Sequence, residues 1–164
     1  MTLRAPAGRR KTNVARGARA DSGLRMVSVA RLRQVCDPFD APPWEAVTAL
    51  SIEGVQAAML DGFELSDAYS DGSRSRAWCV DDHIARIAYL AAKGWDDAIE
   101  VDVGIPHMNC WVDWPVTDGN HRLAAAIARG DKFIVASVGG CCDYMRELLG
   151  PLRRCLPPGS TTRR

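Results

Sequence analysis

Five consecutive residues, Asp118-Gly119-Asn120-His121-Arg122, bring together groups suited to binding an anion. They stand between an apolar run ending at Val116-Thr117 and the alanine-rich stretch after Leu123, which predicts a strand-to-helix loop. The first turn of a helix has amides without intrahelical partners, and its dipole favours negative charge there. Gly119 permits a positive φ and a close approach of a ligand to the backbone. Asn120 is suited to cap the helix or to donate to an oxygen. His121 and Arg122 add side-chain donors, and an arginine fork can hold a phosphate through two parallel bonds. An arginine at a helix start opposes the dipole by about 0.3–1 kcal/mol, which favours an anionic partner. That partner is either Asp118 or a ligand. Two readings therefore stand side by side. One is a phosphate cradle; the other is a helix start in which Asp118 pairs with Arg122 and Asn120 is simply the cap.

The surrounding elements follow from periodicity. Residues 1–25 are rich in Arg, Ala and Gly and are expected to be a disordered basic tail. A strand is predicted over 26–32, with Val27, Val29 and Arg31 on one face. Prolines make 37–43 a loop, and weak helical spacing over 44–60 is broken at Gly54. Residues 62–76 read as a long loop. The clearest helix spans 82–93, capped by Asp81 or Asp82 and ended by Gly94. Residues 98–103 alternate as a half-buried strand, with Ile99, Val101 and Val103 inward and Glu100 and Asp102 outward. Further strands are predicted over 110–117 and 132–138, separated by a helix over 121–129 that Gly130 closes. A last helix covers 143–149, and the chain from Arg153 is expected to be a loose tail. The predicted fold is α+β, a small mixed β-sheet with packed helices and disordered basic termini. The unit 111–138 is expected to be a right-handed strand–helix–strand crossover.

The stretch from Val116 to Ala126, followed by Gly130 and the strand at Ile134, resembles the signature of the ParB/sulfiredoxin-like superfamily. The resemblance covers about residues 80–140, with 26–32 as a first strand and 37–80 as an insertion within a domain spanning 26–152. It implies that Gly119, Asn120, His121 and Arg122 bind the phosphates of a nucleotide, with Asp118 and His121 as candidate catalytic residues. A nucleoside triphosphate with Mg²⁺ is the implied ligand, and hydrolysis of a nucleotide or nucleic-acid phosphodiester the implied reaction class. Two departures narrow it. Sulfiredoxins carry a cysteine immediately before His-Arg where this chain has Asn120, so sulfinic acid reduction is not expected. The stretch after Gly139 is too short for the DNA-binding and dimerisation domains of chromosome-partitioning ParB proteins.

Charge is unevenly spread. Residues 1–25 carry seven basic side chains and one acid, residues 153–164 carry four arginines, and the remainder has ten basic and nineteen acidic residues. The basic N-terminal tail could contact DNA phosphates, which makes a non-enzymatic DNA-associated accessory protein the alternative function, and a small interaction module a third. No apolar stretch is long enough to span a bilayer and no secretory signal stands at the N-terminus, so no membrane partner and a cytoplasmic location are expected. The six cysteines lack CxxC spacing and are expected to be reduced and mostly buried. A zinc site from His107, Cys110, Cys141 and Cys142 is a weak alternative to a loop histidine and buried thiols. Glu100 and Asp102 share a strand face that could meet Mg²⁺ or simply face solvent. Trp111 and Trp114 are expected on opposite faces of a strand, one in the core and the other available to cover a pocket.

Overall fold

The computed structural model describes residues 23–44, 49–62 and 78–154, the last two through their backbone. Of the tail predicted over residues 1–25, residues 1–22 lie outside the described residues, while Leu24 and Arg25 are strand and pair with Ser137 and Ala136, so the tail expectation fails there. Also outside are 45–48 of the helical stretch predicted over 44–60, the long loop predicted over 62–76 apart from Gly62, and the C-terminal tail beyond 154.

The chain is a mixed α+β fold. Strands β1 (Leu24–Ser28), β2 (Ile99–Asp102), β3 (Val116–Asp118), β4 (Phe133–Gly139) and β5 (Arg153–Arg154) form one sheet in the order β3-β2-β4-β1-β5. β2 runs parallel to β4 and the other neighbours are antiparallel. Among the described residues five helices accompany it: α1 (Val29–Val35), α2 (Ile52–Asp61), α3 (Val80–Lys93), α4 (Asn120–Arg129) and α5 (Cys142–Leu149). None of the described helices is long and apolar enough to cross a membrane.

α4 is the axis of the fold. Leu123, Ala124, Ala125, Ala126 and Ile127 are all buried, so the helix is covered on nearly every side. Leu123, Ala126 and Ile127 pack on the sheet with Val27, Ile99, Val101 and Ile134. Ala124 and Ala125 face α2 and α3 instead, against Val55, Ile87, Ala88 and Ala91. Alanine is the residue that permits both contacts, because a larger side chain would hold α3 away. Burying Leu123 and Ile127 contributes about 1.5–3 kcal/mol each.

Several boundaries differ from the sequence expectation for identifiable reasons. The strand predicted over 26–32 stops at Ser28, whose hydroxyl accepts from the Arg31 amide at 3.4 Å and starts α1. Val29 and Leu32 then lie at helical spacing and are buried, while Arg31 is exposed. Gly54 does not interrupt a helix; it lies in the first turn of α2, where its amide donates to the Ser51 hydroxyl at 2.9 Å. α3 starts from Cys79, not from an aspartate cap. Its Asp82 reaches back to accept from the Cys79 amide at 2.9 Å. The predicted strand 110–117 shrinks to β3, because Pro115 has no amide to donate to a ladder. Residues ahead of it form a 3₁₀ turn at Pro106–Met108 and a lone bridge between Ile105 and Cys110. Neither Trp111 nor Trp114 is therefore in a strand. Trp111 is exposed and meets Tyr144 edge-on, and Trp114 is half-buried.

The predicted 111–138 crossover is also revised. β2 lies between β3 and β4, antiparallel to the first and parallel to the second. The parallel pair is thus β2 and β4, joined through β3 and α4. At the other end of the chain, Arg153–Arg154 pair with β1 as β5 and so are not loose. Of the five described cysteines only Cys36 is buried; Cys79, Cys110 and Cys142 are exposed and Cys141 is partly so, and all five are free. The expectation of mostly buried thiols fails because four of them sit at helix starts or in the 104–112 loop.

Candidate functional site

The β3–α4 loop folds as its sequence requires at Gly119. This residue has φ +92 and is the N-cap of α4, the position expected for Asn120. A Cβ there would lie 2.5 Å from Ile99 Cγ2 and 3.1 Å from Arg122 Nε, so glycine is demanded by both conformation and space. The close approach is made by Ile99 and Arg122 from within the chain.

Asn120 is fixed at both ends of its amide. Its Oδ1 accepts from Trp114 Nε1 at 2.8 Å, and its Nδ2 donates to the Val116 carbonyl at 3.3 Å. Arg122 is similarly engaged. Nη1 donates to the carbonyls of Asp97 at 3.0 Å and Ala98 at 2.9 Å, and Nη2 to Asp118 Oδ2 at 2.6 Å. Its side chain is 16% exposed while that of Asp118 is 62% exposed. The Asp118–Arg122 pairing raised from the sequence is present, and it binds the loop to the chain entering β2.

His121 turns toward α3. Its Nε2 lies 2.9 Å from Nδ1 of His83, with the ring centroids 5.1 Å apart and nearly parallel. Trp44 stacks on His121 at 4.5 Å and also contacts His83, and Trp78 meets His83 edge-on at 5.2 Å. His83 is 4% exposed. Burial, then the His83 ring, then the Arg86 charge push the His121 pKa down to about 3. Burial lowers His83 too, with Asp82 opposing. The pair is therefore neutral at pH 7, one ring nitrogen donating and the other accepting.

These elements enclose a cavity of about 320 Å³ at the start of α4. The loop from Thr117 to Arg122 forms one side. Arg86 and Leu90 from α3, with Trp44, Trp95 and Asp97, form the other. Its size is at the small end for a ligand pocket, and it combines donors with two indole walls. All five residues singled out from the sequence, Asp118 to Arg122, line it. His83, Arg86, Trp44, Trp78, Trp95 and Asp97 were missed. A signal for two of them existed: His83 and Arg86 are three residues apart on a helix whose next turn is apolar, a spacing that puts both on one face.

Among the described residues no three His, Cys, Asp or Glu side chains group as a metal site. His107, Cys110 and Cys142 are exposed, so no zinc core is formed there. Asp102 Oδ1 accepts from the Gly104 amide at 2.8 Å, and Glu100 lies across from Asp118 on the β2–β3 pair. Comparison with family models, curated proteins and solved structures finds no match to the chain.

Proposed function

We propose that the cavity at Gly119–Arg122 binds the phosphate of a nucleotide or related phosphate ester. The observation that carries this reading is the state of the α4 N-terminus. It has no side-chain cap and no acid in its first turn, and it opens on a cavity. Such an end offers unpaired amides and the positive pole of the dipole. Arg86 and Arg122 stand at the cavity wall together with Asp97 and Asp118, so both donors and acceptors line it. Trp44 and Trp95 supply flat apolar walls on which a base can stack. The resemblance of this loop to the ParB/sulfiredoxin-like superfamily supports the same ligand class.

The roles within the loop differ from the simplest version of that resemblance. Arg122 acts through its charge and by fixing the loop, since three of its bonds are made within the chain. Phosphate contacts fall to the amides of residues 120–122 and to His121. Magnesium would arrive with a triphosphate, and Asp97 and Asp118 are carboxylates at the cavity that suit an ion keeping most of its ligands as water and phosphate oxygens. If the bound ester is hydrolysed, Asp118 is the candidate proton acceptor: its carboxylate is exposed and held in place by Arg122, whereas burial lowers the basicity of His121.

The test is an amide NMR titration with ATP and Mg²⁺. The reading requires saturable shifts at the amides of Asn120, His121 and Arg122, and their absence at millimolar nucleotide would sink it.

A further inference from the structure

The second histidine of the pair has no place in the resemblance that points to the loop, and its geometry assigns it one. Nε2 of His121 is taken up by His83. Among the described residues no buried side-chain nitrogen lacks a hydrogen-bond partner. His121 makes its hydrogen bond through Nε2 and lines the cavity, so Nδ1 is the ring nitrogen left to meet a ligand. A phosphate oxygen at that position requires Nδ1 to carry the proton, since a bare nitrogen would set a lone pair against an anion. Nε2 is then an acceptor, and His83 Nδ1 lies within bonding distance of it at 2.9 Å.

His83 Nδ1 can be that donor. Its ring is held by Trp44, which contacts both imidazoles, and by Trp78 at its edge. A neutral imidazole protonated at Nδ1 supplies that donor without adding a charge. A leucine would leave Nε2 unpaired. A lysine would bring a buried charge next to Arg86.

We infer that His83 is a positioning residue for phosphate-ester binding: its Nδ1–H donates to Nε2 of His121, which holds His121 in the Nδ1–H form and makes it a neutral donor to the ligand. The inference rests on the phosphate reading of the cavity. It assigns the ligand side of the site a donor without charge, so the affinity of the His121 contact does not depend on forming an imidazolium. It also gives α3 a direct part in recognition, through a residue that does not touch the phosphate.

Imidazole ¹⁵N spectra of the full chain test it, recorded with and without ATP and Mg²⁺. In the complex the expected pattern is a protonated Nδ1 and bare Nε2 on His121, with Nδ1 of His83 protonated. His83→Gln keeps a donor and is expected to hold the His121 pattern and an affinity within about threefold of wild type. His83→Leu is expected to change the His121 nitrogen shifts and weaken ATP by about tenfold, the scale of one lost hydrogen bond to a charged group. His121 protonated at Nε2 alone, or at both nitrogens, in the complex would overturn the inference and leave the phosphate reading standing. Unchanged affinity and shifts in a folded His83→Leu would do the same. Should His83→Leu fail to fold, the wild-type and His83→Gln spectra decide. If ATP moves neither the 120–122 amides nor the His121 nitrogens, the phosphate reading itself fails.

Discussion

The guanidinium of Arg122 bonds at once to the Asp118 carboxylate at 2.6 Å, one turn before it, and to the backbone carbonyls of Asp97 and Ala98. It therefore fastens three segments: the end of β3, the first turn of α4 and the chain entering β2. It also offsets the like charges of Glu100 and Asp118, which face each other across β2 and β3. Arg122→Ala should lower stability by about 2–4 kcal/mol, mostly from the two carbonyls left without a charged donor. Asp118→Asn, at an exposed end of the pair, should cost about 1 kcal/mol or less. Urea midpoints of the two variants measure the difference, and equal losses would contradict the strut role.

Gly119 offers a sharper comparison. Gly119→Ala must accommodate φ +92 and a Cβ at 2.5 Å from Ile99, whereas Gly130→Ala at φ +76 meets nothing within 4 Å. The Gly130 change should cost about 1 kcal/mol from backbone conformation alone. The Gly119 change should cost at least twice that, and should weaken ATP binding as well because the loop must shift. Chemical denaturation with a nucleotide titration separates the two effects.

The histidine pair predicts acid sensitivity. Folded His121 has its pKa lowered to about 3 from an ordinary 6.5, so the unfolded chain binds the proton first. Its contribution is complete above about pH 6.5 and is lost as pH falls toward 3, with a slope of up to about 1.4 kcal/mol per pH unit. His83 is lowered and acts in the same direction. His121→Asn should flatten the stability profile between pH 6.5 and 4, measured against wild type so that carboxylate titrations cancel. A parallel pair of curves would remove the histidine from the acid response.

Thiol labelling should be ordered by position. Burial, with Asp37 adding to it, pushes Cys36 up to about 12, and its Sγ donates to the Leu32 carbonyl. Native protein at pH 8 should leave Cys36 unmodified by iodoacetamide while Cys79, Cys110 and Cys142 react. Mass spectrometry of the digest reads this directly, and labelling of Cys36 at a rate like the others would count against the packed position of α1.

The elements with strong periodicity were legible. α3, β2, α4 and β4 stand where their apolar spacing puts them, within about two residues. What was not legible depends on partners distant in the chain. Ser28 ends a strand because α1 must begin there, and Asn120 yields the cap to Gly119 because Trp114 and Val116 claim its amide. The loop was found because its residue types are adjacent in sequence. Its far wall was not, because Arg86 and Trp44 come from segments whose meeting is decided by how α3 packs on α4.

The double burial of α4 has a consequence for linkage. One helix belongs to both hydrophobic clusters, with Leu123 and Ala126 in one and Ala124 and Ala125 in the other. Neither cluster can melt alone without stripping a face from the helix that the other needs. A molecule bound at the first turn of that helix is thus coupled to the entire cooperative unit. Its binding free energy is returned as a rise in global unfolding free energy, about 2.7 kcal/mol at a hundredfold excess over Kd, and not as a local stiffening of one loop.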